Sequence, residues 1–328
     1  MKRIILSFLI FIFLILTAVV FFLATKGYET DRFNKFISNE IEKKEKNLNV
    51  DLTKIKVKID LKNLNLFLST KKPKITFYNA DLPISEFSVY LDFLSLFKKD
   101  PKIKKTLVMT EEIDILDFKK AVIRIKPSNF KSFILNNVQK GKLKSDIDLS
   151  FGDNFEINNY KIKGYLKNTD VLINKKIEIK NTNLNFIADN EIILINSISA
   201  NVYGIPITNG NIEVDIKENY TITGSINSVV EFNEKKLIKI IPKFENLEFL
   251  NNEINFSLNS VNNFNLVFSN SLKLKEYNYS LDGVIEKGKI NFNNVYKTQF
   301  LKNDIKALNL KKTKVKFTLD NKKNILEL

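Results

Sequence analysis

Ile55-Lys56-Val57-Lys58-Ile59-Asp60-Leu61 decides the fold, because apolar and charged residues alternate along it without a break. A period of two describes a strand with one dry and one wet face; a helix of the same residues would scatter its apolar side chains around the axis. The pattern returns in Phe87-Ser88-Val89-Tyr90-Leu91-Asp92-Phe93, in Ile147-Asp148-Leu149-Ser150-Phe151 and in Ile212-Glu213-Val214-Asp215-Ile216. Shorter copies stand at Tyr160-Lys161-Ile162, Leu184-Asn185-Phe186, Tyr220-Thr221-Ile222 and Val315-Lys316-Phe317-Thr318-Leu319. The chain is therefore expected to be mainly β.

Between these runs the punctuation is polar: Asn168-Thr169-Asp170, Asn174-Lys175-Lys176, Asp189-Asn190-Glu191, Asn209-Gly210-Asn211 and Lys217-Glu218-Asn219. Each is predicted to be a short turn between antiparallel neighbours, with Asn209-Gly210 a favoured hairpin pair because both residues accept positive φ. Helices are expected over Ser128 to Val138 after Pro127 and over Glu234 to Ile241 before Pro242. Glycine precedes an aliphatic residue by two positions at Gly141, Gly164, Gly210, Gly224 and Gly288. In strands such glycines mark bulges, bends or close backbone approach, so the sheet is expected to curl.

Upstream of the first strand the period is helical. Thr30 or Asp31 is placed to cap a helix over residues 31–47, with Phe33, Phe36, Ile37 and Ile41 on one stripe and Lys and Glu on the other face. That stripe is expected to cover the first end of the sheet. Before it, Ile4 to Thr25 is a 22-residue run without a charge, preceded by Lys2 and Arg3. As a helix it spans ~33 Å at ~1.5 Å per residue, enough for a hydrocarbon core of ~30 Å. A cleaved signal peptide is the competing reading, but its apolar stretch is shorter and ends in small residues, where this run closes with Phe22-Leu23-Ala24. The expectation is an uncleaved transmembrane anchor over residues 1–25, an amphipathic helix over 26–49 and a β-domain over 50–328. The closing Asn324-Ile325-Leu326-Glu327-Leu328 reads like a strand just beginning, which leaves open a short chain of its kind, a fragment, or one segment of a larger conduit.

Composition removes much of the enzyme repertoire. The chain has neither Cys nor His, which excludes thiol chemistry, disulfides and any base or ligand built on imidazole. The net charge of +15 invites a nucleic-acid reading, but the only arginines are Arg3, Arg32 and Arg124, and forked recognition of phosphate favours arginine over lysine. The aromatic residues are chiefly Phe at dry strand positions such as Phe151, Phe186 and Phe256, where a lining is expected rather than a platform for bases. Glu111, Glu112, Asp114 and Asp117 cluster, yet nothing nearby completes an acid/base or hard-metal site. Lys235-Lys236 and Lys311-Lys312 are read as solvated turns or helix faces. No nucleic acid, catalytic residue, metal or cofactor is expected.

An antiparallel sheet with one apolar face must cover it with a second sheet, with helices, by curling, or with a ligand. Helices are too few here. Joined to an anchor, such a face suits the carriage of acyl chains: about fifteen methylenes at ~0.8 kcal/mol each cost ~12 kcal/mol to expose to water, and an apolar lining removes most of that barrier. The lining candidates are Ile147, Leu149, Ile162, Leu166, Leu184, Phe186, Ile212, Val214, Ile222 and Ile226.

The order of anchor, amphipathic helix and Lys- and Asn-rich β-meander with Gly-x-aliphatic strand starts resembles the AsmA-like family. The likeness is carried locally by Thr106 to Asp117, by Ile123-Arg124-Ile125-Lys126-Pro127 and by Lys161-Ile162-Lys163-Gly164-Tyr165-Leu166. The resemblance implies a bacterial inner-membrane anchor, a repeating periplasmic β-groove, phospholipid as the partner, and a role in phospholipid movement to the outer membrane. Charge does not clearly orient the anchor, since Lys26, Arg32 and Lys35 follow it closely and offset Lys2 and Arg3, which precede it. Two rivals stand beside this reading: an anchored scaffold binding other envelope proteins through sheet edges, and a carboxylate-dependent hydrolase using Glu111 or Asp114.

Overall fold

The computed structural model describes residues 2–32, 34–44, 46–78, 80–97, 102–124, 127–152, 154, 156–173, 177–217, 219–233, 253–269, 271, 273–296, 304–321 and 324–327. Phe33, the Phe36 side chain, the turn at 174–176, the helix expected over 234–241 and the Lys235-Lys236 pair fall outside that set. The chain is mainly β and antiparallel, with one apolar N-terminal helix and few others. It forms two compact units, residues 1–135 with 143–164, and residues 136–142 with 165–328.

The first unit begins with helix α1 (Lys2–Thr25), whose side chains from Ile4 to Phe22 are all exposed. Its length and apolarity are enough to cross a membrane. The Thr17 and Thr25 hydroxyls donate to the carbonyls of Phe13 and Phe21 at 2.8 and 2.7 Å, so neither asks for an outside partner. The helix stops where Lys26 and Gly27 both donate to Phe22 O, with Gly27 at φ 77°. A side chain at Gly27 would also strike Lys58 Cγ at 2.6 Å and Val57 O at 2.8 Å, so glycine is needed for both the turn and the close approach.

Strand β1 (Tyr28–Thr30) follows at once, then α2 (Asn34–Lys44), β2 (Leu48–Asp51), β3 (Ile55–Asp60), β4 (Asn65–Lys71), β5 (Lys74–Phe77) and β6 (Ala80–Asp92). A 3-10 turn (Phe93–Phe97) leads to β7 (Ile103–Thr110), β8 (Ile113–Asp114), α3 (Ile115–Val122), α4 (Asn129–Asn137) and β9 (Val138–Phe151). The antiparallel ladder runs β1-β3-β4-β6-β7-β9, and β2-β5 joins it through the start of β6. Val50, Leu52, Ile55, Ile75 and Ile84 form the core, and Ile37 and Ile41 of α2 pack against it. The amphipathic stripe thus lies on protein. Helix α2 is shorter than the expected 31–47 because Thr30 is committed to β1 and the Asn34 amide reaches across to the carbonyls of Leu52 and Thr53. Helix α4 matches the expected 128–138, with the Ser128 hydroxyl accepting from Lys131 N at 3.1 Å.

The second unit draws on β9 and on β10 (Ile157–Ile173), then continues as β11 (Ile177–Asp189), β12 (Ile192–Val202), β13 (Ile205–Asp215), β14 (Tyr220–Asn233), β15 (Glu253–Phe268), β16 (Leu274–Tyr296), β17 (Ile305–Asp320) and β18 (Asn324–Glu327). From β11 each strand pairs antiparallel with the next, a meander built from local hairpins. Two expected turns are instead strand interior. Asn168-Thr169-Asp170 lies within β10 and Asn209-Gly210-Asn211 within β13. The Asn and Gly residues serve as irregularities rather than reversals: Asn168 has φ 47°, and the β13–β14 register shifts between Ile207 and Asn209. Lys311-Lys312 likewise sits inside β17, with Lys312 at φ 48°.

Candidate functional site

The β11–β17 register sorts side chains into cross-strand rows. Phe186, Ile195, Ile212, Gly224, Phe264, Tyr279 and Leu319 are successive partners in one row; Val214, Ile222, Leu266 and Tyr277 are partners in the next. On the same face, beyond Ile226, come the buried row Val230-Leu258-Ile285 and the row Phe232-Phe256-Gly288-Leu310. The even positions of β14 from Ile222 to Phe232 and of β15 from Ile254 to Phe268 carry no charge. Glu213, Glu231, Glu253, Asp282, Lys314 and Lys316 all fall on the opposite parity. The result is an uncharged face seven strands wide from β11 to β17, ~29 Å at ~4.8 Å per strand. An acyl layer is ~15 Å deep, half the ~30 Å hydrocarbon core, so the face is long enough for a whole chain.

Glycine shapes this face. A side chain at Gly224 would collide with the Phe264 ring, and one at Gly288 would meet Phe256 Cβ at 2.9 Å. Gly224 makes room for the Phe264 ring directly across from it, whereas at Gly288 the close neighbour is the Cβ of Phe256, whose ring packs on Phe232.

All ten lining candidates are half-buried, and they divide between the two units. Ile147 and Leu149 on β9 face Val108 and Thr106 in the first unit, which also holds Ile162. Leu166, Leu184, Phe186, Ile212, Val214, Ile222 and Ile226 belong to the second unit, and the register brings the last five onto the uncharged face. Missing from the sequence reading are Ile195, Phe264, Leu266, Tyr279 and Leu281, which complete the same rows. For β15 the signal was present in Ile254-Asn255-Phe256-Ser257-Leu258, which alternates without a break.

Polar groups interrupt the face at one place. Ser228 and Ser260 share a hydrogen bond of 2.9 Å, and Asn262 Nδ2 donates to both, at 3.1 and 3.2 Å. Tyr279 OH donates to Asn262 Oδ1 at 2.7 Å. Burial raises the Tyr279 phenol above its ordinary range. Satisfied internally, the cluster withstands an apolar surrounding without water.

Two hollows, 750 and 480 Å³, open on the other face. Val229, Val261 and Val284 with Asn259, Asp282 and Lys314 border the larger; Leu194, Glu213, Thr223 and Asn265 border the smaller. Their walls alternate polar with apolar and do not extend the uncharged face.

The carboxylate cluster has structural tasks. Asp114 caps α3, accepting from Leu116 N at 2.8 Å, and Asp117 pairs with Lys120 at 2.6 Å on the surface. Helix α3 was not foreseen; the Asp114 cap with Ile115, Ala121 and Val122 buried on one side forms it. Among the described residues no group of three or more acidic side chains is arranged to hold a metal. In the second unit Asp170 feels burial, which raises its pKa, but the Asn181 N–H and the Lys140 ammonium outweigh that and hold it below the ordinary value.

Comparison of the chain with protein families, with curated proteins and with solved structures gives no match.

Proposed function

We propose that this chain is a membrane-anchored, non-enzymatic β-sheet protein whose uncharged face shields phospholipid acyl chains from water. The observation that carries the reading is the separation of charge: from β13 to β17 most ionised side chains, with Lys306 at the start of β17 and Glu286 and Lys312 at an irregularity as exceptions, take one face and leave the other mainly to Ile, Leu, Val, Phe and Tyr. Such a face lowers the cost of moving an acyl chain through water by ~0.8 kcal/mol for each methylene it covers. The resemblance to the AsmA-like family supports a bacterial inner-membrane anchor, a periplasmic location for the sheet and a contribution to phospholipid supply and outer-membrane integrity. The residues act as lining and not as reagents, in keeping with a chain that has no His and no Cys.

The full-length protein, extracted with organic solvent after purification, is expected to yield bound phospholipid by mass spectrometry. Ile222→Asp removes lipid; Thr223→Asp, one residue along on the exposed face, leaves it. Equal lipid in both variants contradicts the reading.

One observation favours a scaffold instead. Strand β18 pairs only with Lys316 to Leu319 of β17, and along Ile305 to Val315 no outer partner occurs among the described residues. An edge of that length is a template for a strand of another protein. Crosslinks from this edge to protein, without lipid adducts on the sheet face, would establish the scaffold.

A further inference from the structure

We infer that the end of the first unit's sheet beside α1 is a lipid-seating tip, with Leu61, Leu64 and Leu94 entering the bilayer interface next to the anchor. The direction of the strands carries this. β1 leaves the end of α1 and runs away from it, pairing Tyr28 with Val57 and Thr30 with Ile55. Its antiparallel partner β3 therefore runs back toward the helix, and α1 contacts β3. The glycine that ends the helix is pressed against Val57 and Lys58. Four residues beyond Val57, about 13 Å at ~3.3 Å per residue, the hairpin from β3 to β4 turns at Leu61 to Leu64. Tyr28 is only three residues past Thr25, so the hairpin reaches back alongside the last turns of α1.

The neighbouring strands end at the same level. Asn65 pairs with both Asp60 and Asp92, so the 3-10 turn after β6 adjoins the hairpin, and Phe93 N donates to Leu64 O at 3.1 Å. This end carries apolar side chains that the fold does not use. Leu61, Leu64 and Leu94 are 53, 54 and 62 % exposed. Leu64 also holds φ 51°, a left-handed turn position that Gly or Asn takes at less cost. A leucine there, more than half exposed, adds little to the fold.

The tip is rigid enough to present them. Asp60 accepts from Lys62 N and Asn63 N at 3.0 and 3.2 Å and from Asn63 Nδ2 at 2.8 Å, which fixes the hairpin turn. Ser95 is fully buried, donates to Asp92 O at 2.7 Å and accepts from Lys102 N at 2.8 Å, which fixes the second turn with Leu94 outward. Lys58 and Lys62 flank the leucines, and Tyr28 is half-exposed just past the helix. Apolar tips ringed by lysine and tyrosine suit the zone where acyl chains meet phosphate headgroups. Exposed apolar side chains also stand elsewhere in the unit, Leu116 and Ile123 at 56 % each, the latter next to Arg124 on the Tyr78 ring; what singles out the hairpin end is that α1 contacts β3.

The inference rests on α1 being membrane-inserted but not on any movement of lipid along the sheet. The absence of native cysteine allows single-site labelling of the full chain. Leu61→Cys, Leu94→Cys, Lys72→Cys at the far end of β4 and Leu14→Cys in α1 are each labelled with an environment-sensitive fluorophore. The proteins are reconstituted in phosphatidylglycerol-containing vesicles with lipids bearing a nitroxide near the headgroup. The labels at 61 and 94 are expected to be blue-shifted and quenched several-fold more than the label at 72. Labels at 61 and 94 quenched no more than the one at 72 overturn the inference. Failure of an acyl-chain quencher to reach the label at 14 removes the anchor reading separately.

Discussion

In the first unit Val50, Ile55, Ile75 and Ile84 are buried under Ile37 and Ile41 of α2, whereas Ile212, Val214, Ile222 and Ile226 of the second unit remain half-buried. Strands of one alternating kind thus meet two fates. The difference lies in what covers them: the first unit supplies an amphipathic helix, while the described residues of the second unit from β10 onward are strands and turns. Alternation specifies which face is dry but not what keeps it dry. Part of the second face, the row Val230-Leu258-Ile285, is buried as deeply as the first core; the rows that the described residues leave half-covered are where a guest hydrocarbon gains most.

The contrast is open to attack by truncation. Ile55→Ala opens a cavity in the covered core and is expected to cost ~2–5 kcal/mol in unfolding of the full chain, while Ile222→Ala, already half-open to solvent, costs well under that. Equal losses would mean that the second face is packed as tightly as a core, and the shielding role would lose its physical basis. Next in size is Gly224→Val, which displaces the Phe264 ring and is expected to cost ~1–3 kcal/mol. Phe264→Ala in the same chain should recover part of it, and a double-mutant cycle checks the coupling. Smaller again, Tyr279→Phe removes one buried donor from Asn262 and should cost about 0.5–1.5 kcal/mol, measured by denaturant midpoint.

The smallest effect is pH-dependent. Because the folded Asp170 carboxyl lies below its ordinary value, the unfolded chain takes up the proton first as pH falls. Its stabilising contribution is therefore complete near neutrality and is lost on descent through the ordinary carboxylate range and below. Asp170→Asn should lower stability near neutrality and flatten the acid limb of a stability–pH curve. An unchanged acid limb would assign the limb to other carboxylates.

Much of the fold was legible because its signals are local. The uncharged run at Ile4 to Thr25, the helical stripe at Ile37 and Ile41 and the alternation at Ile55 to Asp60 all appear as elements of the expected kind. What failed was punctuation. Asn209-Gly210 and Asn168-Thr169-Asp170 have the residue chemistry of turns, yet the same tolerance of positive φ serves a bulge inside a long strand, and only cross-strand pairing distinguishes the two. The candidate site was legible by parity on β13 and β14, where Ile212, Val214, Ile222 and Ile226 share a face. It was not legible in extent, because register decides which strands align their dry rows, and register is non-local. The Ser228, Ser260 and Asn262 cluster occupies dry positions that parity marks, but a buried partner such as Tyr279 emerges only from the fold.

Phe264 and Asn265 are adjacent in β15 and present their side chains to opposite faces of the sheet. Replacing each in turn with a photoreactive benzoylphenylalanine in the full-length protein, irradiating intact cells and weighing the adducts tests the shielding face most directly. The account predicts phospholipid attached at position 264 and none at 265. Equal labelling at the two positions, or protein without lipid at 264, would contradict it.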